Sequence, residues 1–384
     1  MKSITVIGTS CGDEGKGAIV DRLCARAINP LVIRFCGGHQ AGHHVVLNEQ
    51  IDHVFSNFGS GTLRGFDTYW SPYCTVDPTG LLNELDVLLS LPINLGPTIY
   101  IDANCPVTTP MDKRANVLME EKEGHGTCGV GFGQTLQREE DHYSLLFSDL
   151  FTPFVLEMKY SLIEKYYLND RNVPGSEDLG HSSSEFLQDC WAVEVSPNIK
   201  MTYGFPAGDY TEYIFEGSQG LMLDQNFGFF PHVTRSNTGS KNILAMGHRP
   251  DIVLVTRAYQ TRHGTGPMTN TTSRMKPNPY EKQEEDKFQG EFRTGILDLD
   301  LIKYAINRDD YIRESRKSLA ITCMDIVEDA WIFIREGQVL KYKTEEEFTR
   351  AIGDFLGIER SVFVTHFPIV PKPPLELGSV WRWF

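Results

Sequence analysis

One stretch near the N-terminus constrains the fold more than any other: Gly8-Thr9-Ser10-Cys11-Gly12-Asp13-Glu14-Gly15-Lys16-Gly17. It follows an apolar run of strand type, Ser3 to Ile7, and precedes Ala18 to Ala27, whose apolar positions recur at helical spacing. A strand, a glycine-rich turn and a helix in that order aim backbone N–H groups and a helix N-terminus at phosphate oxygens. Leu31 to Phe35 reads as a second strand ending at Gly37-Gly38. The chain therefore opens as the first unit of a parallel sheet, with ligand loops at its C-terminal edge.

The loop is similar to a P-loop but departs from it. The pattern G-x-x-x-x-G-K-[ST] requires Gly at Ser10 and a hydroxyl at Gly17, so the usual metal-binding hydroxyl is missing. Asp13 and Glu14 lie inside the loop instead, where a carboxylate beside a triphosphate is repelled. A carboxylate fits there if a cation bridges it to the phosphates or if it takes up a proton during chemistry, and Asp13 is a candidate for both. The plain alternative is a glycine-rich turn with an exposed acidic pair. Lys16 speaks against that, because a cation at a helix start opposes the dipole unless an anion is bound.

A second motif, Gly37-Gly38-His39-Gln40-Ala41-Gly42-His43-His44, closes the second strand. Histidines at these spacings without nearby Cys or carboxylate make poor zinc geometry. An imidazole facing phosphate or oxyanion fits better, lending positive charge during phosphoryl transfer.

Further strands are expected at Thr98 to Asp102, Tyr213 to Phe215, Ile252 to Thr256, Ser318 to Cys323 and Ala330 to Arg335. Residues 151–198 read as a helical insertion with a loop around Pro174-Gly175-Ser176. Residues 269–288 are polar, contain Pro277 and Pro279, and form either a solvated loop or a mobile loop that covers substrate. With 384 residues and 41% hydrophobic content, the expected architecture is one α/β domain spanning 1–384: a mainly parallel sheet, the phosphate loop, flanking helices and the insertion. A net charge of −15 argues against nucleic acid polymers and acidic membranes as partners. No stretch reaches the roughly 18 apolar residues of a spanning helix. No signal peptide is apparent, and the eight scattered cysteines suit a reduced cytoplasm.

Taken together, the motifs resemble the adenylosuccinate synthetase family. Its G-D-E-G-K-G corresponds to Gly12 to Gly17, its G-G-H-N-A-G-H-T to Gly37 to His44, and its F-E-G-A-Q-G to Phe215 to Gly220. Its P-x-V-T-S-S-N-T corresponds to Pro231 to Thr238, its A-Y-x-T-R-x-G-x-G-P to Ala258 to Pro267, its R-T-G-W-L-D to Arg293 to Asp298, and its T-K-L-D to Thr322 to Asp325.

The resemblance implies a homodimeric, Mg²⁺-dependent ligase acting on a purine nucleoside monophosphate, a nucleoside triphosphate and L-aspartate. Asp13 would be the base that removes the purine N1 proton and, with the Gly42 carbonyl, a metal ligand. His43 would be the acid near the 6-oxygen. Gly12, Glu14, Gly15, Lys16, Gly17, Gly42 and His44 would face the triphosphate, and Asp325 the donor base. Gln40, Thr127, Cys128, Gln219 and Thr234 would hold the substrate nucleotide, and Arg138 would reach a substrate phosphate across the dimer. Arg293 and Arg262 would hold aspartate.

Departures from the family pattern fall on recognition. Gln40 stands for Asn, Cys128 for Thr, Arg235 for Ser and Cys323 for Lys; Thr365-His366-Phe367-Pro368 stands for S-T-G-P, and Gln289-Gly290-Glu291-Phe292 for most of the aspartate loop T-T-G-R-R-R. Such a chain resembles the bacteriophage members of the family, which make the succinyl precursor of 2-aminoadenine DNA in the host cytoplasm. The favoured substrates are dGMP with ATP or dATP. The alternatives are the ordinary enzyme with IMP and GTP, a non-catalytic nucleotide-binding regulator, and a P-loop NTPase.

Overall fold

The computed structural model describes residues 1–358 apart from 49, 94, 125, 176–181, 273–275, 277–289 and 328–330, together with the backbone of 362–364. Its strands are β1 (Lys2–Gly8), β2 (Pro30–Arg34), β3 (His43–Asn48), β4 (Ile51–Phe55), β5 (Thr68–Trp70), β6 (Ile99–Asp102), β7 (Ile199–Thr202), β8 (Glu212–Gly220), β9 (Asp251–Arg257), β10 (Tyr259–His263), β11 (Phe292–Asp298), β12 (Lys317–Thr322), β13 (Trp331–Arg335), β14 (Gln338–Tyr342) and β15 (Val362–Val364).

Nine of these form the central sheet, in the order β15-β12-β9-β1-β8-β2-β5-β6-β7. Every neighbouring pair in it is parallel. Parallel strands covered on both faces read as continuous apolar runs rather than alternating ones, which is what β1, β2 and β9 show. Two smaller sheets, β10-β11-β13-β14 and the hairpin β3-β4, stand beside it.

The helices that position the site are α1 (Lys16–Cys24), α2 (Pro78–Ser90), α3 (Pro110–Glu123), α4 (Phe132–Glu140), α5 (Pro153–Lys165) and α6 (Ser183–Val195). Thr109 starts α3 by accepting the Asp112 N–H, while Asp112 reaches back to the Thr109 N–H, a reciprocal cap that fixes where the helix begins. The helices α3 to α6 lie in the connection between the parallel neighbours β6 and β7. Leu156, Ile163, Phe186 and Val193 from α5 and α6 share an apolar cluster with Leu81 and Leu85 of α2 and Ile101 of β6. Burying side chains such as Phe147 and Phe186, each 2% exposed or less, stabilises this layer by about 1.5–3 kcal/mol apiece.

A second cluster, with Ile7, Phe215, Leu254 and Ile321, packs against the strands that carry the phosphate loop. The sheet's core strands are thus held rigidly beneath the loops at their C-terminal ends.

Candidate active site

Those loops, with the start of β3, enclose a cavity of about 1130 Å³. Pockets for one drug-sized ligand run to about 300–1,000 Å³, so this one lies just above the top of that range. Its walls include Cys11 to Ala18 after β1, Gln40 to His44, Gln219 at the end of β8, Arg257, and Thr322 and Cys323 at the end of β12.

The missing P-loop hydroxyl has a steric cause: a Cβ on residue 17 would lie 2.8 Å from the Cβ of His43. Glycine there lets the second motif close onto the first. Gly15, which precedes α1, has φ of 80°, and Asp13 also takes the left-handed region at φ 54°, where Asp is tolerated better than most residues.

Glu14 is turned into the loop. Its carboxylate accepts the Ser10 N–H at 2.5 Å and lies 3.1 Å from Lys16 Nζ, with both charged side chains 2% exposed. The anion that Lys16 requires at the helix start is therefore supplied internally. Asp13 is different: its side chain is 41% exposed, and its Oδ2 lies 3.4 Å from His263 Nε2. Its backbone carbonyl accepts from Arg257 Nε.

His43 is 4% exposed, with Nδ1 2.6 Å from Glu216 Oε1. Glu216 is fully buried in the middle of β8 and also accepts the Ser60 N–H at 3.1 Å and the Ser60 hydroxyl. Burial pushes the Glu216 carboxyl up, but His43, Arg34 and Ser60 together outweigh it and hold it down to about 2. An ionised Glu216 assigns the ring proton to Nδ1, which leaves Nε2, without a partner, on the cavity side. Burial drives the imidazole pKa below its usual value; Glu216 opposes this, while Arg34 and Lys16 add to it. Arg34 is itself wholly buried, donating to Ser218 Oγ at 3.0 Å beside the Trp70 ring.

Gly12, Gly15, Gly17, Gln40, Gly42, His44, Thr127, Cys128, Gln219, Thr234 and Arg262 also line the cavity. Both amide atoms of Gln40, and Oε1 of Gln219, are buried without a partner. His44 pairs with Asp52 at 2.8 Å. Arg262, 4% exposed, donates to Cys11 Sγ and to the Pro267 and His232 carbonyls.

Several expectations need correction. Arg138 does not reach a substrate phosphate: it is 0% exposed, and its guanidinium is taken up by Asp112, Glu139 and the Val107 and Tyr143 carbonyls. Arg293 does not line the cavity; it donates to the Gly264 and Gly266 carbonyls. Asp325 lies just beyond Cys323, outside the lining. Gln289, Thr365-His366-Phe367-Pro368 and most of 269–288 fall outside the described residues.

Side chains given no role from sequence stand in the site, among them His263, Arg171 and Arg257 in the lining and Glu216 behind His43. A carboxylate inside the apolar run of β8 was the available signal for Glu216.

A parallel sheet with a glycine-rich strand-to-helix loop at its C-terminal edge, and the side chains of Asp13, Lys16 and His43 lining one large cavity there, is the architecture of a nucleotide-using enzyme. Residues 5–349 match the family described as adenylosuccinate synthetase, and the chain belongs to that family of carbon–nitrogen ligases. The adenylosuccinate synthetase of Borrelia duttonii (strain Ly) is 29% identical over 374 residues, spanning 93% of this chain and 83% of that protein. The fold is shared with the fully ligated adenylosuccinate synthetase from Plasmodium falciparum, at a TM-score of 0.74 and 18% identity over 94% of this chain and 96% of that one. It is also shared with cyanophage S-2L succinoaminodeoxyadenylate synthetase bound to dGMP and dATP as an energy donor, at a TM-score of 0.64 and 16% identity over 96% and 93%.

Among the described residues no helix is long and apolar enough to cross a membrane.

Proposed function

We propose that this ligase joins L-aspartate to C6 of dGMP, with ATP or dATP as phosphoryl donor, giving N6-succino-2-amino-2'-deoxyadenylate. One observation carries the choice of purine: the cavity presents two buried acceptors without partners, Gln40 Oε1 and Gln219 Oε1. With N1–H committed to Asp13, guanine still offers the two N–H donors of its 2-amino group, whereas hypoxanthine offers none there, and an unmet buried acceptor is costly. Gln40 in place of the family Asn extends that amide by one methylene. The structural likeness to a protein bound to dGMP and dATP as an energy donor supports the same reading of substrate and donor.

The chemistry follows from the two side chains. Asp13 takes the proton from N1, and O6 attacks the γ-phosphorus as the bond to the nucleoside diphosphate breaks. Phosphorylation makes O6 a leaving group. The aspartate amine then attacks C6, the C–O bond breaks, phosphate departs, and the amine releases its extra proton to solvent. His43 faces the developing charge through Nε2, where the incoming phosphoryl charge favours a bound proton.

Asp13 and the Gly42 carbonyl are hard oxygen donors suited to Mg²⁺. Among the described residues no group of three or more His, Cys, Asp or Glu could hold a metal alone, so a cation here would complete its shell with phosphate and water, as Mg²⁺ does. When bound it neutralises phosphate charge.

A second reading, IMP with GTP, is favoured by the retained Asp13 and by the names of the curated relatives. A matrix of IMP, GMP and dGMP against GTP, ATP and dATP, with aspartate and Mg²⁺, separates the two by succinyl-purine absorbance. Turnover of dGMP with ATP or dATP well above IMP with GTP is expected; efficient IMP turnover with dGMP inert overturns the proposal.

A further inference from the structure

The turn that carries Thr127, expected to hold the substrate nucleotide, has its amides already taken. The Gly126 and Thr127 N–H groups both donate to the Glu120 carboxylate, at 2.5 and 3.1 Å, and Glu120 is 7% exposed. The Thr127 hydroxyl accepts from Asn116 Nδ2 at 2.9 Å. A phosphate approaching this turn meets the field of a buried carboxylate rather than free amides, so the compensating charge must come from side chains on the same wall.

Two guanidinium groups stand there. Arg171 and Arg235 line the cavity together with Thr127, Gln134 and Gln137. Arg171 Nη2 lies 3.4 Å from Gln134 Oε1, and Arg235 Nη1 lies 2.8 Å from Gln137 Oε1. Gln134 and Gln137 are three residues apart on α4 and share a face, which sets the two arginines along one helix edge.

Tyr166 props Arg171, accepting from Nη1 at 2.9 Å with its ring 5.9 Å from the guanidinium carbon. The carboxylates that pair with them, Asp141 at 3.6 Å from Arg171 and Glu140 at 2.7 Å from Arg235, are 38% and 63% exposed. Ion pairs of that kind are weak, and a phosphate dianion that accepts several N–H donors can displace them. Arg235, moreover, occupies the position of a Ser in the family motif.

We infer that Arg171 and Arg235 of the same chain bind the 5'-phosphate of the monophosphate substrate, with Glu120 serving as the scaffold of the turn. This rests on the ligase reading above, and the tests separate the two.

Arg171→Gln, Arg235→Ser and the double variant are compared by calorimetric titration with dGMP, IMP and deoxyguanosine. Each single substitution is expected to weaken monophosphate binding about tenfold. The double variant should fall to the affinity of the nucleoside, with triphosphate binding and melting temperature kept as the check on folding. Equal monophosphate affinity in wild type and double variant, or no binding of either monophosphate by wild type, overturns the inference. Intact binding with no turnover overturns only the ligase reading.

Mixing the double variant with Asp13→Ala chains, at substrate near the wild-type KM, tests whether the arginines act within one chain. No recovery of activity is expected; recovery would place them in a second subunit and sink the proposal.

Discussion

The two side chains proposed for proton transfer are held in opposite ways. His43 is 4% exposed and clamped by Glu216, which Ser60 and Arg34 stabilise in turn. Asp13 is 41% exposed and has a 3.4 Å contact to His263. The acid is pre-organised by the fold, whereas the base takes its final position from what binds beside it. That division suits a reaction in which charge develops at a fixed phosphoryl position, while the base must also accommodate a metal and a purine ring.

The largest expected effect tests the base. Asp13→Asn keeps the shape but removes both the proton acceptor and the anionic oxygen, and kcat should fall by about 10³-fold or more. Steady-state rates within tenfold of wild type would mean that the loop carboxylate has no part in the chemistry. His43→Asn should lower kcat by about 10²-fold with nucleotide affinity near normal. A loss confined to KM would turn the clamped imidazole into a binding group and erase the contrast.

Glu216→Gln comes next, because it loosens the acid without removing it. An orienting partner of this kind is worth about 10–10²-fold, so kcat should drop by that factor with little change in KM. The same carboxyl makes the fold sensitive to acid. Its folded-state pKa of about 2 lies below the ordinary 4.5, so its stabilisation is complete above about pH 4.5 and is lost as pH falls toward 2. His43 acts in the same direction: its depressed pKa means that the unfolded chain takes up the proton first as pH drops below the ordinary 6.5. Urea unfolding of Glu216→Gln should therefore depend less on pH below 4.5 than wild type; an unchanged dependence would locate the acid sensitivity elsewhere.

What the sequence disclosed follows the same physical divide. Parallel strands such as β2 and β9 were legible because their residues form nearly continuous apolar runs. The hairpin β3-β4 was hidden by its polar residues, and β5 has only three residues. The phosphate loop was legible because its glycines and charges are contiguous. The role of Glu216 was not, since its partner lies 173 positions away. Arg138 was misassigned for a related reason: its partner Asp112 is 26 positions earlier, and nothing local distinguishes an arginine bound for burial from one bound for a ligand. The occupied state of the Gly126-Thr127 turn was not legible either, because Glu120, six residues before Gly126, gives no sign in sequence that it curls back onto those amides.

The smallest effect is the sharpest test of the contrast. His263→Gln replaces the imidazole beside Asp13 with a shorter amide. A partly exposed pair at 3.4 Å is worth no more than about fivefold in rate, so kcat should change by less than that, and KM for the monophosphate hardly at all. His263 also packs on Phe292, with ring centroids 4.8 Å apart, so some loss of thermal stability is expected from the missing ring alone. Comparing Gln with Phe at this position separates the two effects, because Phe restores the packing and abolishes the polar contact. If both variants lose more than tenfold in kcat while melting like wild type, Asp13 depends on its imidazole as His43 depends on Glu216, and the base is as rigidly placed as the acid.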